Sequence, residues 1–212
     1  MKTARKRDHR VRVGRERSAR TETRILEAAL RVFANMGPDA PKIDDFVRAA
    51  DIARGTFYNH FESVEELLDA TSEWTTREVT HSIERAIDDL DGPALRLGVG
   101  LRLFFARAER DPVWCRFVER VWKLGGIELP TRDIANGIAS GIFRAPSAQA
   151  ARDLLLGGIR EALAHIGTGH AKPKYGDQIV ELYLTALGTE PRRIAVVLKH
   201  ELPNLEDKEK SS

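Results

Sequence analysis

The sequence predicts an all-α protein, and three observations support that prediction. Apolar residues recur at the helical spacing of i, i+3, i+4 and i+7 along most of the 212 residues. Glycine and proline interrupt this pattern at intervals, as at Gly37-Pro38 and Gly92-Pro93. The chain contains neither the alternating pattern of a strand nor an internal repeat. We therefore predict about ten helices, in a small N-terminal domain, a long connecting helix and a larger C-terminal helical domain.

The N-terminus is strongly basic. Residues 1–20 contain nine Lys or Arg against Asp8 and Glu16, so this arm carries +7, and the net charge of +2 leaves −5 for the rest. The asymmetry favours a polyanionic partner, with a solubilising tail as the alternative. Because the arm lacks apolar periodicity, we expect residues 1–18 to be disordered.

The composition indicates the cellular compartment of the protein. The single cysteine, Cys115, excludes an intrachain disulfide and fits a reducing environment. No apolar run approaches the roughly 20 residues of a membrane span. The charged N-terminus is not followed by the apolar segment of an export signal. We expect a cytoplasmic protein that has no membrane partner.

Residues 19–66 are predicted to form a three-helix domain. A first helix, from about Ala19 to Asn35, supports two short helices joined by a tight turn at residues 50–52. In the last of these helices, Phe57 and Phe61 share an inner face. The outer face carries polar groups that suit the major groove of DNA, and these belong to Arg54, Gly55, Thr56, Tyr58, Asn59 and His60. The alternative is an ordinary helical corner.

Residues 67–202 are predicted to form the second domain. Ser63 and Glu66 form a capping box that starts the connecting helix, which should run to Gly92-Pro93. Helices follow at about 94–110, 112–124, 130–140, 147–166, 177–187 and 190–200, and residues 203–212 should be a disordered tail. The helix at 94–110 is apolar around most of its circumference, so it should be central. Its glycines, Gly98 and Gly100, indicate close packing or space for a ligand.

Catalysis has little support in the sequence. Cys115 lies on an aromatic helix, where a packing role is more frequent than a nucleophilic one. The six histidines form no set with metal-ligand spacing, and no catalytic or phosphate-binding motif occurs. We expect no enzymatic activity, no cofactor and no metal.

Aromatic residues of the second domain form either an ordinary core or a largely apolar pocket for a small hydrophobic or aromatic effector. The candidate pocket residues are Trp74, His81, Arg102, Phe104, Phe105, Trp114, Cys115, Phe117, Val118 and Trp122.

The helices at 148–166 and 177–188 carry enough apolar surface for a four-helix dimer interface, although a single chain could also use that surface internally. The candidate interface residues are Leu154, Leu155, Gly158, Ile159, Ala162, Leu163, Ile166, Ile179, Val180, Tyr183 and Leu187.

The N-terminal third of the chain resembles the tetracycline-repressor (TetR) family of bacterial transcriptional regulators. The resemblance lies in RILEAALRVFANMG, residues 24–37, and in residues 42–68, where GTFYNHF at 55–61, followed by Ser63 and Leu67-Leu68, is the most specific part. The resemblance implies a homodimeric repressor or, less often, an activator in the bacterial cytoplasm, associated with the nucleoid. Its two heads would bind a palindromic operator, and an effector in the C-terminal domain would shift the connecting helix and release the DNA.

By position, the resemblance also implies roles for individual residues. DNA phosphates would be contacted by Lys42, Tyr58, His60, Thr21 and Thr23, and base edges by Arg54, Gly55, Thr56 and Asn59. The sequence departs from the family at Asp51, where the turn usually has glycine, and at Ala53, where the recognition helix usually has a Ser or Thr cap. The alternative function is a non-specific architectural DNA-binding protein that uses mainly its basic arm.

Overall fold

The structure is a computed structural model that describes residues 2–121 and 130–203, with side chains described from residue 12 onward. Within those ranges the chain forms ten α-helices and no strand, which confirms the all-α prediction. The helices are α1 (Lys2–Met36), α2 (Ile43–Ala50), α3 (Arg54–Tyr58), α4 (Val64–Ile87), α5 (Pro93–Arg110), α6 (Pro112–Val121), α7 (Thr131–Ala139), α8 (Ala148–Gly167), α9 (Tyr175–Ala186) and α10 (Pro191–Lys199). None of the described helices combines the length and hydropathy needed to cross a lipid bilayer.

The chain divides into two compact units, Met1–Trp74 and Thr75–Ser212. Helix α4 begins in the N-terminal unit and ends in the C-terminal one. The sequence placed the boundary near residue 66, in the first turn of α4. The predicted tail at 203–212 and the predicted end of the aromatic helix at Gly125-Gly126 fall almost wholly outside the described residues.

Helix α1 is longer than the sequence predicted, because it begins at Lys2 rather than near Ala19. Residues 2–20 contain no proline, and Gly14 is their only glycine. Most of them are Arg, Lys or Ala, which have high helix propensities, so the helix continues through the basic segment. The segment expected to be disordered is therefore the first half of α1 in this structure.

The core of the N-terminal unit is aromatic. Phe33 of α1, Phe46 of α2 and Phe57 of α3 are fully buried, and the ring centroids of Phe33 and Phe46 are 4.9 Å apart. Phe61 packs against Phe57 at 6.1 Å. Burial of each ring contributes on the order of 2 kcal/mol, so these contacts fix α3 against the two supporting helices.

The turn between α2 and α3 depends on Asp51, which has left-handed backbone angles (φ 50°, ψ 57°). Its N–H donates to the carbonyl oxygen of Arg48 at 3.3 Å, and the Ile52 N–H donates to that of Val47 at 3.1 Å. The turn thus forms without glycine, as expected for aspartate, which tolerates this conformation better than most residues. Ala53 precedes α3 and provides no side-chain cap.

Local capping sets several helix starts. The Glu66 N–H donates to Ser63 Oγ at 3.1 Å, while the Glu66 carboxylate accepts from the Glu62 N–H, one residue earlier than in a standard capping box. Asp111 Oδ1 accepts from the Trp114 N–H at 3.0 Å, and Ser147 Oγ caps α8 in the same way. The predicted starts of α4, α6 and α8 are confirmed.

The C-terminal unit is built around α5, which contacts α6, α7, α8, α9 and α10. A Cβ added to Gly98 would lie 2.4 Å from Val197 Cγ1. Glycine therefore permits the close approach of α5 and α10, which confirms close packing at this position.

Candidate nucleic-acid interface and effector cavity

The outer face of α3 is polar and accessible. Arg54, Gly55, Tyr58 and Asn59 are exposed, whereas Thr56 and His60 are half-buried. A Cβ added to Gly55 would meet no other atom within 4 Å, so packing does not require glycine there. The bare backbone at Gly55 leaves room for an external surface to approach α3 closely.

The Arg54 side chain is held on two sides. Its Nη1 donates to Asp44 Oδ1 of α2 at 2.8 Å, and its Cζ lies 5.9 Å from the centroid of the Tyr58 ring. The pKa of Arg54 is raised, first through the Tyr58 side chain and then through the charge of Asp44. The guanidinium thus contacts both the Asp44 carboxylate and the Tyr58 ring on the surface of α3.

The candidate phosphate contacts differ in availability. The side chains of Lys42 and Tyr58 are exposed. Thr21 Oγ1 donates to the Arg17 carbonyl at 3.0 Å, and Thr23 Oγ1 donates to that of Ala19 at 3.1 Å. Both hydroxyl protons are therefore used within α1, and these threonines would have to change rotamer before donating to a phosphate.

A cavity of about 810 Å³ lies in the C-terminal unit, between α4, α5, α6, α7 and α8. Of the residues predicted to line a pocket, Phe104, Trp114 and Val118 do so. The Phe104 and Trp114 rings pack edge to face with centroids 5.3 Å apart. The apolar part of the wall is completed by Val79, Ile83, Ile87, Leu97, Leu101 and Ile159.

The polar part of the wall comes mainly from residues that sequence reasoning missed. Thr75, Thr76 and Thr80 of α4 line the cavity, and at its α7 side Arg96 Nε pairs with Asp133 Oδ1 at 3.2 Å. The signal in the sequence was present: these threonines lie in the same helical stripe as Val79 and Ile83. Hydroxyls within an apolar stripe indicate either backbone hydrogen bonding or a ligand.

Two polar groups in this wall are buried without a hydrogen-bond partner among the described residues, Thr75 Oγ1 and Trp114 Nε1. Thr71, one turn earlier on α4, shows the usual alternative, since its hydroxyl donates to the Leu67 carbonyl. An unpaired buried polar group costs about 1–3 kcal/mol.

The other predicted pocket residues that the structure describes do not line this cavity. Arg102 donates to Asp177 and to two backbone carbonyls, and His81 is exposed. Cys115 is buried, which raises the pKa of its thiol to about 12, and its Sγ lies 3.4 Å from the Leu163 carbonyl oxygen. Phe105 packs against Gly176. Phe117 is fully buried, Trp74 belongs to the N-terminal unit, and Trp122 lies outside the described residues.

The predicted interface residues divide into two faces. Most of them are buried within the chain itself, and these are Leu155, Ile159, Ala162, Leu163, Ile166, Val180, Tyr183 and Leu187. Tyr183 also donates its hydroxyl to the Ala151 carbonyl at 3.0 Å, tying α9 to α8. Leu154 of α8 is instead 54% exposed and Leu182 of α9 is 66% exposed. A Cβ added to Gly157 or Gly158 of α8 would meet no other atom within 4 Å. Ile179 is half-buried.

A three-helix domain that presents a short polar helix has the arrangement of a helix-turn-helix DNA-binding domain. Residues 25–71 match the model of the bacterial regulatory proteins of the tetR family. The chain is therefore similar to the tetR family in its N-terminal domain.

Curated relatives match over part of the chain. The HTH-type transcriptional regulator YvdT of Bacillus subtilis (strain 168) is 36% identical over 69 residues, which cover 32% of this chain and 34% of that protein. The HTH-type transcriptional repressor DhaR of Mycobacterium sp. (strain GP1) is 30% identical over 80 residues, 37% of this chain and 40% of the repressor. The chain thus spans well under half the length of the curated relatives that it matches.

Solved structures extend the likeness to the whole fold. RolR in complex with resorcinol matches with a TM-score of 0.62 and 21% identity, covering 90% of this chain and 98% of RolR. FadR from Bacillus subtilis in complex with stearoyl-CoA matches with a TM-score of 0.67 and 18% identity, covering 77% and 98%. At these identities the matches show a shared fold.

Proposed function

We propose that this protein is a TetR-family repressor that binds a palindromic operator as a homodimer and is released by a small aromatic effector. The observation that carries the proposal is the outward face of α3, where Arg54 and Tyr58 are exposed over a fully buried Phe57. A short helix fixed by its buried side and polar on the other can enter the major groove as a rigid reader.

Within that groove, the residues would have two kinds of role. Arg54, Gly55, Thr56 and Asn59 would face base edges, where guanidinium, hydroxyl and amide groups discriminate between base pairs. Tyr58, His60 and Lys42 would hold phosphates and set the register, as would Thr21 and Thr23 after a change of rotamer. The basic residues of α1 would add affinity that depends on salt but not on sequence.

The second subunit would dock on the outer face of α8 and α9. Leu154 and Leu182 are large apolar side chains that remain exposed in the protomer, and Gly157 and Gly158 leave open space for a neighbouring backbone. A two-fold axis through such a face pairs it with itself, as a closed dimer requires. Two reading heads related by that axis would meet half-sites about 34–36 Å apart.

The cavity would hold the effector. Its volume of about 810 Å³ lies within the range of about 300–1,000 Å³ typical of ligand pockets. The aromatic wall favours a cyclic apolar body, and the unpaired Thr75 and Trp114 groups favour a ligand with hydroxyl or carbonyl oxygens. RolR has the same fold and was solved in complex with resorcinol, which is a dihydroxybenzene. That complex supports an aromatic effector with hydroxyl groups. Because α4 walls the cavity and begins six residues after α3, movement of α4 would reposition the reading head.

DNA binding is tested by selecting sequences from a random duplex library and measuring affinity for the selected site at fixed salt. We expect a palindrome, and Tyr58→Ala should weaken binding at least tenfold, whereas Tyr175→Ala in the C-terminal unit should not. Selection of no palindrome would refute the proposal. Deleting residues 1–18 distinguishes the sequence-specific regulator from the architectural DNA-binding protein. The regulator would keep its preferred site at lower affinity, whereas the architectural protein would lose DNA binding.

The effector is tested by screening small phenols, with resorcinol first, for release of the operator. Thr75→Val removes a hydroxyl group while keeping the shape of the side chain, and it should weaken effector binding about tenfold, the value of one good hydrogen bond. Thr189→Val is the matched control, because Thr189 Oγ1 is also buried and unpaired but lies outside the cavity wall. Equal effects of the two threonine variants would contradict the assignment of the cavity.

A further inference from the structure

Asp44 places an exposed carboxylate beside the candidate base reader Arg54. The side chains are 63% and 57% exposed, and their 2.8 Å contact joins α2 to α3 across the turn. An exposed ion pair of this kind contributes little to folding stability. A negative charge on a surface that meets phosphates also weakens binding to any DNA. Neither folding stability nor general affinity for DNA therefore accounts for this pairing.

The neighbouring acid shows that helix capping does not account for Asp44. Asp45 Oδ2 accepts from the Lys42 N–H at 2.9 Å, and Asp45 also approaches Arg48. Asp45 thus supplies the acidic cap at the start of α2. Asp44, one residue earlier, points to α3 instead and contacts Arg54.

The geometry of Arg54 suits readout of guanine. A guanidinium has five N–H groups in a planar fork, and Asp44 engages Nη1 from one side while the Tyr58 ring borders the other. N–H groups that Asp44 does not engage can donate in pairs to O6 and N7 of guanine, the base edge that arginine recognises bidentately. Fixing a long side chain before binding removes much of the entropy cost of ordering it in the complex.

We propose that Asp44 and Arg54 form one guanine-reading unit, in which Asp44 is a positioning residue that acts through Arg54. This inference rests on the proposed DNA-binding function. Asp44 holds the fork toward the bases, and its charge prevents Arg54 from serving as a general phosphate contact. Each half-site of the operator therefore contains a guanine whose recognition depends on Asp44.

The experiment compares affinities for the operator selected by the wild-type protein and for operators in which each guanine is replaced in turn. The proteins are wild type, Asp44→Ala, Asp44→Asn and Arg54→Lys, with Asp69→Ala as the control. Asp69 is an exposed carboxylate on α4 in the same unit, so its removal changes the net charge equally. Thermal melting of each variant verifies folding.

We expect the wild type to prefer guanine at one position about tenfold or more, the value of a good bidentate contact. Asp44→Ala and Arg54→Lys should reduce that preference below threefold, and Asp44→Asn, which keeps an acceptor oxygen, should restore part of it. Asp69→Ala should leave it unchanged. An undiminished guanine preference in Asp44→Ala, or an equal loss in Asp69→Ala, would overturn this inference while the proposed function stands. A wild-type protein that selects no sequence would overturn both.

Discussion

Replacing Arg102 by methionine should destabilise the C-terminal unit by about 3 kcal/mol. Arg102 is only 8% exposed and joins three helices. From α5, its Nε donates to Asp177 Oδ1 of α9 at 2.8 Å. Its Nη1 donates to the carbonyl oxygens of Val197 and His200, both at 2.7 Å, at the C-terminal end of α10.

The magnitude follows from what methionine leaves behind. Removing one partner of a buried ion pair typically costs about 3–5 kcal/mol. Asp177 is 29% exposed and can regain water, and the His200 carbonyl is only partly buried, so the lower end of that range applies. The Val197 carbonyl is buried, and its loss of a charged donor accounts for about 1–3 kcal/mol of the total.

The free energy of unfolding is measured by urea titration followed by tryptophan fluorescence, at one protein concentration for all variants. Arg110→Met is the control, since Arg110 lies on the same helix but is exposed, and it should change stability by less than about 0.5 kcal/mol. Asp177→Asn should cost less than Arg102→Met, because Arg102 keeps its two carbonyl acceptors.

A loss below about 1 kcal/mol in Arg102→Met, or one equal to that of the control, would refute the reasoning, because such a value belongs to an exposed ion pair. A thermal scan provides a second measurement. A loss of 3 kcal/mol corresponds to a fall in melting temperature of roughly 6–12 °C for a chain of this size.

Two further predictions concern backbone positions. Gly98→Ala should cost about 1–3 kcal/mol by forcing Val197 aside. Urea titration against the wild type measures this loss, and an unchanged stability would contradict the close approach of α5 and α10. Ala53→Ser should stabilise the N-terminal unit by about 1 kcal/mol by adding a cap to α3, and an unchanged melting temperature would show that the missing cap is supplied in another way.

Features set by local chemistry were predictable from the sequence. Ser63, Asp111 and Ser147 each cap a helix that begins where their position indicated, because a cap needs only a side chain and a backbone N–H within the next three residues. The left-handed backbone of Asp51 was expected from the family resemblance, because the family usually has glycine at that turn position. The length of α1 was not, because absence of apolar periodicity indicates an unburied segment, and an unburied segment rich in Arg and Ala can still be helical.

The orientation of α8 required long-range information. Leu154 and Leu155 are adjacent, and α8 has apolar residues on both sides, so spacing alone identifies two stripes without saying which one faces the core. In the structure Leu155 is buried against the rest of the unit and Leu154 is exposed. The choice depends on where α6 and α7 pack, which the sequence of α8 does not contain.

The roles of polar residues near the cavity also depended on contacts between residues distant in sequence. A lone arginine among aromatic residues suggested a ligand contact, but Arg102 is satisfied by Asp177, which is 75 residues distant in sequence. The threonines of α4 gave a weaker signal and yet line the cavity. Whether a polar side chain in an apolar stripe serves structure or ligand depends on whether a distant partner reaches it. Only the hydrogen bonds of the folded chain show whether such a partner is present.

The two glycines of α5 show that one helix can both pack closely against a neighbour and border the cavity. At about 100° per residue, Gly98 and Gly100 point roughly 200° apart around the helix axis. Gly98 faces Val197 of α10, where a Cβ would clash, whereas Gly100 faces Ile83 and the cavity, where a Cβ would make ordinary contact at 3.4 Å. Close packing therefore requires glycine at residue 98. Residue 100 could be alanine, but its methyl group would narrow the cavity. An effector that fills this space would contact Gly100 on α5 and the threonines on α4 together, so its size should determine how far these two helices separate.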